Sequence, residues 1–291
     1  MGKILVTGAT GSLGTEVINS LLKRTDTANI AALARDLSKT ETLKEKGIEI
    51  REGNYDNFNS LLQAFKDIDK LYFISGSDIT VRVKQHENVV KAAKDSGVKH
   101  IVYTSFARKN ETETSPIVMV AEAHLKTENW LKESGLTYTI LKHNLYMDII
   151  PMFIGEKVLE TGLIYLPAGD GKTAFATRKD MAEAAAVILT TYGHENKEYD
   201  IASDKVYTFK EVAVALSEVT GKAINYVSPT QEEYTKTLSE ASVPAEYIGA
   251  IAGFAEAVKQ GEFEQTSGTI ETLTGNKPTS LVDFLKKVYA S

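Results

Sequence analysis

The chain has 291 residues, 43% hydrophobic and 25% charged, which is ordinary globular composition with length for one large α/β domain or two smaller ones. Its net charge of -6 and lack of a concentrated basic run argue against nucleic acid as a partner. The absence of cysteine excludes disulfides, thiolate nucleophiles and Cys-ligated zinc, and the five histidines (His86, His100, His124, His143 and His194) form no HExxH, so no metal is expected.

The opening MGKILVTGATG has one charged residue, a short apolar run and glycines. A signal peptide needs a longer apolar stretch and a cleavage site. No run approaches the roughly 18 apolar residues of a membrane span. The expectation is a cytoplasmic protein with no membrane partner.

Strand-like apolar runs follow at Lys3–Thr7, Asn29–Arg35, Ile48–Glu52, Lys70–Ser75, Ile101–Ser105 and Thr137–Leu141. Helical faces lie between them, such as Val17, Ile18, Leu21 and Leu22, then Leu61, Leu62 and Phe65, then His86, Val89, Val90 and Ala93. Alternating strand and helix predicts an α/β fold with a doubly wound parallel sheet. The continuous runs ILV, LYFI and IVY fit strands buried on both faces. After about Leu145 the rhythm breaks. A helix is predicted over Pro151–Thr161, short strands at Thr173–Thr177 and Tyr199–Ser203, and helices over Asp180–Thr191, Thr208–Val219, Thr230–Glu240, Pro244–Gln260 and Ser280–Tyr289. This reads as a smaller, mostly helical C-terminal lobe. The expected division is residues 1–145 with roughly 178–203 as the nucleotide-binding domain, and 146–177 with 204–291 as the substrate lobe.

The most specific motif is Thr7-Gly8-Ala9-Thr10-Gly11-Ser12-Leu13-Gly14, a G-x-x-G-x-x-G between a strand and an amphipathic helix. Gly8 permits the tight turn, Gly11 lets backbone approach a pyrophosphate, and Gly14 lets the helix lie close to the sheet. The helix start presents free N–H groups, here from the Thr10–Gly14 stretch, to the anion. Gly169-Asp170-Gly171-Lys172-Thr173 ends like a second phosphate loop, but Leu166 stands where that motif needs glycine, so it reads as a turn.

The end of the second strand selects the dinucleotide. Arg35 stands there, about 20 residues past the glycine loop, where an acid would bind a ribose 2′-OH and an arginine a 2′-phosphate. A charge-assisted bond contributes roughly 1.5–3 kcal/mol, which favours NADPH over NADH by one to two decades. Lys39 offers a second cation, and Asp36 reads as a helix cap near Ser38. Asn54 and Tyr55, past the third strand, are candidate adenine-side contacts. Ser75, Gly76 and Ser77, past the fourth, are candidates to face the pyrophosphate and nicotinamide ribose.

Tyr138-Thr139-Ile140-Leu141-Lys142 matches the Tyr-x-x-x-Lys spacing of carbonyl reductases. That pair works from a helix, where four residues stack both side chains on one face. Here Gly135 ends a helix and the following residues alternate as a strand, which would hold the two about 13 Å apart. The helix expected to carry the pair, PIVMVAEAHLKTENWLKESG, has His124, Lys126 and Glu128 but no tyrosine. His124 reads more readily as a helix-face residue than as an acid.

TGATGSLG, LARD, the YTS of residues 103–105, LTYTILKHNLYMD, AGDGKTAFATRKDMAEAAAVIL and TGNKPTSLVDFL together resemble the NmrA-like, atypical short-chain dehydrogenases, and among them the NADPH:quinone oxidoreductase type 2 proteins, nearly end to end. The resemblance implies a Rossmann-like fold and flavin-free, two-electron reduction of quinones by NADPH. It implies contacts to nicotinamide and substrate at Lys142, His143, Asn144, Leu145 and Tyr146. Lys142, His143 and Leu145 depart from the usual pattern of an arginine, a small or polar residue and an aromatic, which bears on acceptor preference.

Hydride addition to a quinone yields a phenol-like anion, with a conjugate acid near 10 on the tyrosine scale, so a positioned acid is dispensable. On this reading Asn144 and Tyr146 orient substrate and nicotinamide, and His143 or Lys142 offsets developing charge. Tyr247, Ile248, Ile251 and Phe254 are candidates to line the acceptor pocket, with plain core packing as the competing role. Two alternatives stay open: a non-catalytic NADP(H)-binding regulator of the NmrA kind, and a reductase of another activated carbonyl or an imine. The expected partner is a quinone or another small electrophile, and the protein is expected to be a monomer or homodimer.

Overall fold

The computed structural model describes residues 2–290. Through the first half, strand and helix alternate as β1 (Ile4–Val6), α1 (Ser12–Leu21), β2 (Ile30–Ala34), α2 (Glu41–Glu45), β3 (Glu49–Glu52), α3 (Phe58–Ala64), β4 (Lys70–Phe73), α4 (Arg82–Asp95), β5 (His100–Phe106), α5 (Val118–Ser134) and β6 (Thr137–His143). The second half runs α6 (Ile150–Ile154), α7 (Val158–Thr161), β7 (Leu163–Tyr165), β8 (Lys172–Thr173), α8 (Arg178–Thr190), β9 (Lys197–Ile201), β10 (Tyr207–Thr208), α9 (Phe209–Thr220), β11 (Asn225–Val227), α10 (Gln231–Glu240), α11 (Ala245–Lys259), α12 (Thr269–Thr274) and α13 (Leu281–Tyr289).

Seven strands form one parallel sheet in the order β3-β2-β1-β4-β5-β6-β9. Period-two alternation divides the central strands between two apolar clusters. Ile4, Val6, Val102 and Leu141 pack with α1 and α8 on one face. Leu5, Ile101, Tyr103 and Ile140 pack with α3, α4 and α5 on the other. The strand order reverses between β1 and β4, which opens a crevice at the carboxyl ends of the strands, the usual ligand position in such sheets. A third cluster, built on Phe153, Phe175, Phe209, Leu216, Ile251 and Phe263, forms the core of the helical lobe.

The second half departs from expectation in several places. The predicted helix over Pro151–Thr161 is two short helices, α6 and α7, broken at Gly155 with φ +84°. The predicted strand at Thr173–Thr177 reduces to a two-residue pairing of β8 with β10, while Ala176 bridges Tyr146. The parallel pair β7–β11 and the six-residue α12 carry no periodicity long enough to read in sequence. α12 places Ile270 in the cluster of α1 and α8 rather than in the lobe's core. No helix among the described residues is long and apolar enough to cross a membrane.

Candidate active site

The glycine loop runs from β1 into α1 at the crevice. Gly8 has φ +58°, a region open to glycine at little cost. A Cβ at Gly14 would lie 2.2 Å from the Gly8 carbonyl oxygen and 2.8 Å from the Ala9 Cα, so only glycine lets α1 seat on the loop. A Cβ at Gly11 would meet only the Gly8 oxygen, at 3.3 Å, so this position is open to its outer side. The α1 N-terminus begins at Gly11 with no side-chain cap, whereas α8, α9, α10 and α13 are each capped by a Thr or Ser hydroxyl. First-turn N–H groups have no partner within a helix, so those of Ser12, Leu13 and Gly14 are free to receive an anion. Thr10, Gly11 and Ser12 are exposed, whereas the Leu13 side chain is buried and offers only its backbone.

Arg35, just past β2, is exposed and makes no ion pair or side-chain hydrogen bond among the described residues. Its neighbour Asp36 accepts from the Ser38 N–H at 3.0 Å, as a cap should, and holds the Lys39 ammonium at 3.7 Å. Asp36 is thus turned to its own turn and to Lys39, leaving Arg35 as the uncompensated cation at the strand end. Asn54 is exposed, with its carbonyl taken by the Asp56 N–H and its amide free. Tyr55 is braced inward: its hydroxyl reaches Thr7 Oγ1 and the Ile74 carbonyl oxygen, tying the ends of β1 and β4 together. Its hydroxyl is therefore spent on the scaffold. Ser75 and Gly76 cover His86, whose Nε2 accepts from the Gly76 N–H at 3.1 Å, and Ser77 is exposed.

At the end of β6, three of the expected residues are engaged by the protein itself. Asn144 is 1% exposed. Its amide donates to the carbonyls of Phe263 (3.1 Å) and Gln265 (3.4 Å), and its Oδ1 accepts from the Leu145 N–H at 2.7 Å. Every polar atom of that side chain is committed to backbone, so Asn144 latches the lobe to the sheet. His143 is sealed, with neither ring nitrogen partnered, and burial pushes its pKa down to about 3. It is neutral. Lys142 lies on the α5 side of the sheet, 2.8 Å from Glu198 of β9. Burial works against its charge, but the Glu198 pairing outweighs it and raises the pKa. Tyr146 remains at the crevice. It is half-buried, and the Arg178 guanidinium from the start of α8 sits over its ring at 4.3 Å, within cation–π range.

YTILK is strand β6, with Tyr138 opposite Ile101 and its ring against the α4–α5 side. In the lobe, Ile248 and Ile251 are core residues at 2% and 4% exposure, and Tyr247 is exposed. Phe254 meets Phe106 edge-on at 6.2 Å, at the seam between lobe and sheet.

Sequence reasoning missed the polar cluster beneath Ser75 and Gly76. Arg82, at the start of α4, is 8% exposed, donates from Nη2 to the Ser77 carbonyl at 3.3 Å, makes no ion pair among the described residues, and leaves its Nε unpaired. Burial lowers its pKa, and its charge acts on both Tyr103 and Tyr146. His86 is pushed down to about 3 by burial and by Arg82. Its Nδ1 lies 2.8 Å from Thr127 Oγ1, which in turn donates to the Ala123 carbonyl. Tyr103 Oη lies 2.8 Å from Nδ1 of His124. Burial lowers His124 well below its ordinary range and raises Tyr103. Close by, Arg108 makes a two-pronged pair with buried Glu128, at 3.0 and 2.8 Å, and Glu128 also accepts from Ser105. Glu262 of the lobe accepts from the N–H groups of Lys109 and Asn110, at 2.8 and 3.0 Å. These contacts fix the loop after β5. The one available signal was spacing: His124 and Thr127, like His86 and Arg82, lie three or four residues apart on sheet-facing helix surfaces.

Comparison with known proteins gives the same frame. Quinone oxidoreductase 2 of Escherichia coli is 34% identical over 98% of both chains, and its structure complexed with NADPH superposes with a TM-score of 0.92 over 98% of this chain and 99% of that one. The Citrobacter triphenylmethane reductase complexed with NADP(H) is 40% identical, with a TM-score of 0.90 over 98% of this chain and 99% of that one. The NmrA-like family domain-containing oxidoreductase flvB of Aspergillus flavus is 30% identical over 98% of this chain and 94% of its own. The NmrA-like family model matches residues 1–288, and the chain belongs to that family.

Proposed function

We propose that this protein is an NADPH-dependent oxidoreductase that reduces quinones by direct two-electron transfer. The observation that carries the reading is the pairing of an uncapped α1 N-terminus, seated by Gly14, with the uncompensated Arg35 guanidinium at the end of β2. The first suits a pyrophosphate and the second a 2′-phosphate. Bound NADPH supplies a hydride from C4 of its nicotinamide. The chain's part is to hold donor and acceptor together, which alone removes a large share of the barrier. Tyr146, stiffened by Arg178, forms a flat wall at the crevice. The buried Arg82 guanidinium, its Nε without a partner, acts on Tyr146, and a buried cation's field strengthens as water is excluded.

Purified protein mixed with NADPH and a 1,4-quinone should oxidise the nicotinamide steadily, followed by its absorbance near 340 nm (roughly the nicotinamide band), without added flavin. Tight NADPH binding with no turnover on any quinone would instead mark a redox-sensing binder. The identity with the triphenylmethane reductase favours a second acceptor class, a planar aryl-stabilised carbocation that takes the hydride at carbon. The same assay with such a dye, read by bleaching, tests it.

A further inference from the structure

The hydrogen bonds under Ser75 and Gly76 define which nitrogen carries the proton on each histidine. The Gly76 N–H can only donate, so His86 Nε2 is the unprotonated nitrogen. His86 Nδ1 therefore carries the hydrogen and gives it to Thr127 Oγ1, whose own hydrogen goes to the Ala123 carbonyl. A protonated His86 Nδ1 cannot accept from Tyr103. The best-placed acceptor for the Tyr103 hydroxyl is His124 Nδ1 at 2.8 Å; Thr127 Oγ1, the other oxygen in its reach, already accepts from His86, and His86 itself lies at 3.4 Å. His124, held neutral by its burial, then has its single hydrogen on Nε2.

That Nε2–H has no protein acceptor among the described residues, and unlike both nitrogens of His143 it is not sealed off. The imidazole lies between the rings of Tyr103 and Phe106, at 5.9 and 5.8 Å. Phe106 in turn touches Phe254 and Phe263 of the lobe, at 6.2 and 5.5 Å. The donor therefore sits at the seam where sheet and lobe meet, on the helix that carries the phenol acid in tyrosine-dependent carbonyl reductases.

We propose that His124 Nε2–H is the hydrogen-bond donor to the quinone oxygen on which negative charge develops, and that Tyr103 is the positioning residue that fixes its tautomer. This rests on the quinone-reductase reading above. In the step, the dihydronicotinamide is oxidised by loss of hydride and the quinone is reduced to its hydroquinone monoanion. One oxygen becomes anionic, and the second proton comes from water. His124 transfers no proton: a neutral imidazole is too weak an acid to protonate a phenolate, but it is a good fixed electrophile for one.

Three variants and one spectrum test this. With a 1,4-benzoquinone as acceptor, His124→Leu should lower kcat about ten- to hundredfold, less than a full oxyanion-hole loss because the product anion is a weak base. His124→Gln, whose amide N–H reaches as far, should stay within about threefold of wild type. Tyr103→Phe should lower kcat about tenfold with KM unchanged. NADPH affinity by calorimetry should be unaltered in all three. Nitrogen-15 correlation spectra of the imidazole side chains should place the His124 proton on Nε2. A proton on Nδ1, or equal losses in the Leu and Gln variants with wild type active, overturns the donor role. Wild-type protein that binds NADPH and reduces no quinone sinks the quinone reading instead, so the two failures are separable.

Discussion

Gly14 and Gly8 touch backbone to backbone: a methyl group at Gly14 would fall 2.2 Å from the carbonyl oxygen of Gly8. The start of α1 can approach the end of β1 this closely only because residue 14 has no side chain, and that approach aims the first-turn N–H groups at the crevice.

Two neighbouring glycines should therefore fail in different ways. Gly14→Ala should destabilise the fold by about 1–3 kcal/mol, the usual cost of overpacking, and abolish NADPH binding with it. Gly11→Ala should fold with a stability change under about 1 kcal/mol, because its new methyl meets one atom at 3.3 Å, yet still weaken NADPH binding. Urea unfolding alongside calorimetric titration separates the two effects. Equal stability losses would show that the close approach at Gly14 is not the constraint.

Removing the Arg35 guanidinium should cost affinity for one dinucleotide only. Arg35→Ala should weaken NADPH binding about ten- to hundredfold, the worth of a charge-assisted bond, and leave NADH within about threefold. Titration of both dinucleotides into both proteins decides it. A matching loss for NADH would move the 2′-phosphate contact elsewhere.

His143 contributes no partner and holds two buried, unpartnered nitrogens. A buried polar group without a hydrogen bond costs roughly 1–3 kcal/mol. His143→Leu should therefore raise the unfolding temperature by a few degrees, about 2–4 °C per kcal/mol at this chain length. A fall in the melting temperature measured by calorimetry would show that the imidazole makes an interaction in solution.

Acid should unfold the protein through its histidines. His86 and His143 are depressed to about 3, and His100 to about 4, each mainly by burial. In the unfolded chain they titrate near 6.5, so below that pH the unfolded state binds more protons and stability falls as pH falls. Each histidine contributes about 1.4 kcal/mol per pH unit until its folded value is reached. The urea midpoint should drop steeply between pH 6 and 4.5, with an uptake of two or more protons. A flat midpoint over that range would mean these rings are protonated in the folded state.

The first half of the chain was legible because its strands are continuous apolar runs and its helices have long amphipathic faces. β1 to β6 fall within a few residues of their predicted positions, and YTILK is the strand that its alternation indicated. The lobe was less legible. α6 and α7 share one apolar pattern, and only the positive φ at Gly155 divides them. The partners of His143 and Lys142 were not legible for a common reason. Period two throws consecutive strand residues to opposite faces, and which face meets the crevice depends on what packs there.

By itself, the sequence determined the parallel sheet, the glycine loop at its first turn and the cation at the end of its second strand, because each rests on local backbone geometry or on a short, fixed spacing. The tertiary structure alone decided the polar machinery. Arg82, His86, Tyr103 and His124 come from two strand-helix units and meet only when β4 and β5 lie side by side with α4 and α5 packed over them. Burial then keeps the two imidazoles neutral beside the charged Arg82, and contacts among distant residues choose where each proton sits. Neither is written in any local run of residues.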